Sequence, residues 1–170
     1  MTANFTVLPA TPRDGDAIGQ IHAASWRAAY ADFFSPDFFA QALRRRRHRW
    51  QAVLTEQPRN TCLLATAHGR PLAFSYFGPS SPEPGAVEVL GFYGHPDGWG
   101  TGVARALMAS TLTAIRERGA RHIHLWTLRD TPRSRRFYAR HGFTESGVVR
   151  DFDYGDGNPL PQVEYALTVD

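Results

Sequence analysis

The spacing of apolar residues changes several times along the chain, and each change marks an element. Phe5 to Pro9 is a short apolar run that predicts a first strand. Ile18, Ile21, His22, Ser25, Trp26 and Ala29 then recur at helical intervals, which predicts a helix ending near Tyr30. Thr11-Pro12-Arg13-Asp14 supplies its start: a capping threonine, a proline in the first turn and an acid three residues after the cap. After Ser35-Pro36 a second helix is expected to about Glu56, with Leu43, Trp50 and Leu54 turned inward. Two apolar runs, Thr61–Ala67 and Leu72–Phe77, flank His68-Gly69-Arg70-Pro71 and read as a hairpin. Pro79–Gly85 reads as a short loop, and Ala86–Tyr93 as a fourth strand. A glycine-rich turn follows, then a helix to about Arg118 with Met108, Leu112 and Ile115 on one face and Gly119 as its stop. His122–Leu128 alternates like a strand. Pro132–Arg140 reads as a short helix capped by Thr131, and Phe143–Val149 and Val163–Val169 read as the last two strands.

The predicted fold is therefore α/β in content, a mixed sheet of about seven strands flanked by four helices, in a single domain over 1–170. The 170 residues suffice for a sizeable core, and a hydrophobic share of 42% fits a globular chain. No run approaches the roughly 18 apolar residues of a membrane span, and the start Met-Thr-Ala-Asn-Phe lacks the pattern of a leader. The lone cysteine, Cys62, cannot form an internal disulfide, so a cytoplasmic location is expected. All 19 basic residues are arginine and the net charge is +3, which favours anionic partners. Arg44-Arg45-Arg46-Arg47-His48-Arg49 is the feature closest to a nucleic-acid contact. It lacks an interleaved aromatic platform and reads more simply as a solvated helix face. No set of His, Cys, Asp and Glu has metal-ligand spacing, and no Ser-His-Asp arrangement is legible.

The centre of the sequence is the strand, turn and helix over Ala86–Met108. Gly100, Gly102 and Ala104 leave room for a ligand to approach backbone N–H groups at a helix N-terminus, an arrangement suited to phosphate. Trp99-Gly100-Thr101-Gly102-Val103-Ala104 resembles the coenzyme A signature of the GNAT N-acetyltransferase superfamily, [Gln/Arg]-x-x-Gly-x-[Gly/Ala], with Trp99 in place of the usual first residue. Thr131 to Phe143 resembles the family's Asn-x-x-Ala-x-x-Phe-Tyr-x-x-x-Gly-Phe, with Thr131 for the asparagine and Ser134 for the alanine. The element order is similar along nearly the whole chain, least so in the first third. The resemblance implies the GNAT acyltransferase fold and acetyl-CoA as co-substrate, with no metal. It implies transfer of the acetyl group to a primary amine by direct attack in a ternary complex. Many relatives are dimers, so a homodimer is an open expectation.

Residue by residue, the resemblance places Tyr138 at the coenzyme sulfur as the acid for the leaving thiolate, and Glu88 where the family often has a glutamate, as the base. It implies that Phe92, Tyr93 and Gly94 free backbone donors where the fourth strand splays, with Gly91 and Gly94 suited to a bulge. Trp99, Gly100, Thr101, Gly102, Val103, Ala104, Arg105, Thr131 and Ser134 complete the expected cofactor contacts. Arg105, Arg133, Arg135, Arg136 and Arg140 are candidates for the coenzyme phosphates, and His22, His95 and His124 are weaker candidates for the base. Trp26, Tyr30, Phe33, Phe34, Tyr76 and Trp126 are candidates for an acceptor pocket suited to a small, partly apolar amine. Acetylation of protein N-termini, a non-catalytic acyl-CoA sensor and a nucleic-acid module are the competing readings.

Overall fold

In the computed structural model, which describes residues 4–81 and 83–170, the seven predicted strands form one sheet. They are β1 (Phe5–Pro9), β2 (Thr61–Ala67), β3 (Arg70–Pro79), β4 (Ala86–Gly94), β5 (His122–Leu128), β6 (Thr144–Phe152) and β7 (Leu160–Thr168). The spatial order is β1-β2-β3-β4-β5-β7-β6. β4 and β5 are parallel, whereas β1/β2, β2/β3, β5/β7 and β6/β7 are antiparallel. The five helices are α1 (Gly15–Ala29), α2 (Pro36–His48), α3 (Trp50–Glu56), α4 (Val103–Glu117) and α5 (Pro132–Arg140). Met1–Ala3 of the expected N-terminal reading, and Pro82 of the expected loop, lie outside the described residues.

The chain divides into two compact units. One runs to Phe77 and takes in Gly91–Thr113; the other comprises Gly78–Leu90 and Ala114–Asp170. In the first unit the capping box at Thr11 forms as expected, with Asp14 Oδ2 accepting from Thr11 N–H at 2.8 Å, but it opens a short turn of 3-10 helix and α1 starts only at Gly15. Ile18, Ile21, His22, Ser25 and Trp26 are buried as the periodicity requires, while Ala29 is exposed.

The expected second helix differs from prediction: it is interrupted at Arg49 and continues as α3, so the described residues hold five α-helices rather than four. Two glycines on α1 explain its close approach to this pair. A Cβ on Gly15 would lie 2.6 Å from Gln51 N, and one on Gly19 only 2.0 Å from the Arg47 carbonyl oxygen. With backbone against backbone here, Trp50 reaches inward and is 2% exposed.

Trp50 Nε1–H donates to His22 Nδ1 at 3.0 Å. Since indole is only a donor, His22 is a neutral imidazole with its proton on Nε2. Its ring lies 4.3 Å from Tyr93 and 5.7 Å from Phe74, in an apolar core with Ile18, Ile21, Cys62, Leu64 and Tyr76. Burial drives the His22 pKa well below its usual value, and the Arg49 and Arg46 charges push the same way. The unfolded chain binds a proton at this residue near pH 6.5, whereas the folded chain does not. Stability from His22 is thus full above that pH and declines as pH falls below it, by up to about 1.4 kcal/mol per pH unit. Urea unfolding midpoints measured from pH 7.5 to 5 should fall accordingly, and H22Q should flatten that dependence. Equal slopes in the two proteins would assign the acid sensitivity to other groups. Burial likewise raises the Cys62 thiol to about 12, leaving it protonated and inert.

In the second unit β5 is fully paired with β7, from His122↔Thr168 to Leu128↔Gln162. β6 and β7 form a long hairpin whose register shifts between Glu145 and Val149. β6 is exposed along nearly all its length, as an outer strand with few apolar inward positions.

Candidate active site

In the first unit the glycine turn is braced from beneath. His95 N–H donates to the Leu72 carbonyl at 2.7 Å, and a Cβ on Gly98 would meet Val103 at 3.0 Å and Leu72 at 3.3 Å. α4 is tied to β3 by the buried Ser75–Thr111 hydroxyl pair at 2.8 Å; Thr111 donates onward to Leu107 O, so Ser75 is the donor to Thr111. Trp99 braces the turn. Its Nε1–H donates to Gly94 O at 3.0 Å, clasping the end of β4 to the turn. Thr101 Oγ1 donates to Gly98 O at 2.7 Å.

Gly100 and Gly102 have φ of +76° and +95°, a region that residues with a Cβ rarely enter. A Cβ on Gly100 would meet nothing within 4 Å, so the turn's surface is open there. Of the turn and cap hydrogen bonds among the described residues, none uses the N–H of Gly100, Gly102, Ala104 or Arg105 as donor. These groups stand at the positive end of a 15-residue helix whose first turn carries no acid. The exposed Arg105 side chain adds full positive charge. The residues fit a pyrophosphate: several N–H donors, an unobstructed approach and favourable charge.

Phe92, Tyr93 and Gly94 are half-buried at the end of β4. The β4/β5 pairs run from Ala86↔His122 to Val89↔Leu125, while β4 itself continues to Gly94. Leu90–Gly94 therefore lie past these pairs, where backbone groups of a parallel strand can serve a ligand. Tyr93 is committed on one side to His22 and Phe74.

The aromatic candidates of this unit separate by burial. Trp26 is 3% exposed, stacked between Phe34 at 5.5 Å and the Arg46 guanidinium, 3.3 Å from its ring centre. Tyr76 is buried, with Asn60 Nδ2 donating to its hydroxyl at 2.8 Å. Phe34 is buried too, whereas Tyr30 and Phe33 are half-buried and pack on one another at 6.2 Å. The arginine run is partly structural: Arg46 covers Trp26, and Arg47 pairs with Asp16 at 2.6 Å.

In the second unit Glu88 is half-buried on β4, in register with His124 on β5. Among the described residues it forms no ion pair within 4 Å; its charged neighbour is Arg150, whose guanidinium lies 4.1 Å from the Trp126 ring centre and whose Nε donates to Gln162 at 2.8 Å. Trp126 is half-buried.

On α5, Tyr138 is buried against Phe143 and Tyr165, each 6.0 Å away. Phe137 packs on His141 at 4.5 Å and on Tyr138 at 5.6 Å. Ser134, one turn before Tyr138, is half-buried. Thr131 does not cap α5 with its side chain; its hydroxyl donates to Leu128 O at 2.7 Å and closes the turn after β5. Arg135 is held by Glu145 and by the Arg129 carbonyl, so it is occupied within the fold, while Arg133, Arg136 and Arg140 are exposed. Among the described residues there is no group of three or more His, Cys, Asp or Glu placed to hold a metal, and no helix is long and apolar enough to cross a membrane.

The model of the acetyltransferase (GNAT) family matches residues 15–143. No curated protein matches the chain significantly. Among solved structures, the PaiA N-acetyltransferase of Thermoplasma acidophilum in complex with coenzyme A aligns with 98% of this chain and 99% of its own, at 17% identity and a TM-score of 0.77. The yncA protein of Salmonella typhimurium, solved with its cofactor acetyl-CoA, aligns over 98% and 94% at 20% identity and a TM-score of 0.68. The ribosomal-protein-S18-alanine N-acetyltransferase of Escherichia coli aligns over 98% and 95% at 18% identity and a TM-score of 0.70. At such identities the likeness is one of fold.

Proposed function

Because the chain belongs to the acetyltransferase (GNAT) family, we propose that it acts as one catalytic domain that moves the acetyl group of acetyl-CoA onto a primary amine of a small molecule. The observation that carries this reading is the set of N–H groups at the start of α4, unused by the turn and open above Gly100. They receive the pyrophosphate, and Arg105 adds charge beside it. Acetyl-CoA supplies an activated acyl carbon, which the amine attacks directly.

Two protons must then move. The amine has to lose one to become a nucleophile, and the thiolate has to gain one to leave. Glu88 takes the first, through a water, and Tyr138 gives the second. In the first unit the half-buried aromatic side chains of Tyr30 and Phe33 favour an acceptor with an apolar portion.

The test is thiol release from acetyl-CoA with a panel of small primary amines and a peptide with a free N-terminus. E88Q should lower kcat by about 10²–10⁴-fold near neutral pH, the usual worth of a positioned base. The deficit should shrink as pH rises and the amine loses its proton unaided. An unchanged pH–rate profile in E88Q would remove this carboxylate from the mechanism, and turnover of the peptide alone would move the acceptor class to protein N-termini.

A further inference from the structure

Ser80, just past the end of β3, lies with its Oγ 2.9 Å from His124 Nε2. On the other side of the ring, His124 Nδ1 is 3.4 Å from Glu164 Oε2, and Glu164 Oε1 accepts from the Ser146 hydroxyl at 2.6 Å. Ser80 and His124 are each 7% exposed, whereas the Glu164 side chain is 18% exposed and Ser146 is exposed. The four groups thus make a line from the interior to the surface within one unit.

The chemistry of the line is directional. His124 Nδ1 is buried without a hydrogen bond and faces the Glu164 carboxylate, which only accepts; that side suits the N–H, and the Nε2 lone pair is then left for the Ser80 O–H. A second proton on the ring needs only a rotation of the Ser80 hydroxyl, which then accepts from Nε2–H while the new charge faces Glu164. His22 is the contrast: its Nδ1 receives the indole N–H of Trp50, so a proton there would set two donors against each other. A second proton on His22 would meet a donor; on His124 it would meet a hydroxyl that can turn to accept it.

The position of His124 says whose proton it handles. It is the register partner of Glu88 across the parallel strands, so both side chains stand on the same face at neighbouring-strand spacing. The charged groups on this side are Glu88 on β4, Glu164 on β7 and Arg150 on β6.

We propose that Ser80, His124 and Glu164 form a proton relay behind Glu88, carrying the acceptor amine's proton from the interior to the surface at Ser146. An N–H bond of the ammonium breaks and an O–H bond forms on Glu88. That O–H then breaks as the proton passes, through an intervening water, to the Ser80 hydroxyl, which gives its own to Nε2. The Nδ1 proton leaves to Glu164 and from there to water, which leaves the ring neutral with its proton on Nε2; rotation of the ring and of the Ser80 hydroxyl then resets the Nδ1–H tautomer for the next turnover. The relay rests on the reading of Glu88 as the base, and His124 is a positioning and proton-carrying residue that does not touch substrate.

The test measures thiol release from acetyl-CoA with 2-phenylethylamine in dilute buffer, for the parent protein, H124Q, S80A and E88Q. H124Q should lose at least about tenfold in kcat with KM for acetyl-CoA unchanged. Added imidazole, a mobile proton carrier, should restore much of the loss. S80A, a milder change at the other end of the ring, should show a smaller loss with the same rescue. A folded H124Q that turns over at the parent rate, or a loss that imidazole leaves untouched, overturns the relay. Slow E88Q with full-speed H124Q leaves the Glu88 reading standing and removes the relay; full-speed E88Q overturns the Glu88 reading and, with it, the relay drawn from it. The nitrogen NMR signals of His124 need no acceptor. They should show the proton on Nδ1 in the parent at neutral pH, and a proton on Nε2 instead would overturn the proposal.

Discussion

Replacing Tyr138 with phenylalanine is expected to lower kcat by about 10²–10⁴-fold, the range for loss of a positioned general acid. The substitution isolates the hydroxyl. The Tyr138 ring is buried against Phe143 and Tyr165, and a phenylalanine ring keeps that packing. Stability and KM for acetyl-CoA should therefore change little, so the deficit lies in the chemical step. An acyl donor whose thiol is more acidic needs its leaving group protonated less, and Y138F should recover most with such a donor. If kcat is unchanged when chemistry is rate-limiting, Tyr138 only positions the thioester.

A second large effect concerns the packing of α1. In Gly19→Ala the added carbon would lie 2.0 Å from the Arg47 carbonyl oxygen and 2.8 Å from its carbon, both backbone atoms. Neither can swing aside as a flexible side chain would. α1 must move off α2, and overpacking of this kind should cost about 2–4 kcal/mol. For a chain of this size Tm should fall by roughly 5–15 °C. Gly69→Ala is the control: its φ is +77° with nothing within 4 Å of a new Cβ, so it bears backbone strain alone, of order 1–2 kcal/mol. A Gly19→Ala loss no greater than that of Gly69→Ala would mean that α1 and α2 do not meet at this glycine.

Local rules made much of the fold legible in the sequence. Strand periodicity found all seven strands because each has an apolar run bounded by turn residues, and most errors lie at the ends: β7 begins at Leu160 rather than Val163, and β6 runs to Phe152 rather than Val149. The break at Arg49 escaped because nothing local demands it; it accompanies Trp50 turning inward to His22 and α1 closing on this pair at Gly15 and Gly19. The glycine turn was readable because positive φ and close approach require particular residues at particular places. Trp99 was not, since a tryptophan serving as a backbone brace has no spacing rule. The Ser80–His124–Glu164 line joins the residue that follows β3 with residues of β5 and β7, far apart in sequence, and only the fold brings them together. The alternation of His122–Leu128 did place His124 and Trp126 on a common face, which was the available hint.

The account turns on coenzyme binding at the start of α4, and thermal unfolding with and without millimolar acetyl-CoA tests it most directly. A ligand that binds only the folded chain adds roughly 2.7 kcal/mol at about 100 times its Kd. For a domain of this size the predicted result is a rise in Tm of very roughly 5–10 °C. The rise should be lost in Gly100→Val, whose side chain would stand over the open face of the turn. No rise in the parent protein would contradict the account, because the N–H groups of Gly100, Gly102, Ala104 and Arg105 would then hold no pyrophosphate.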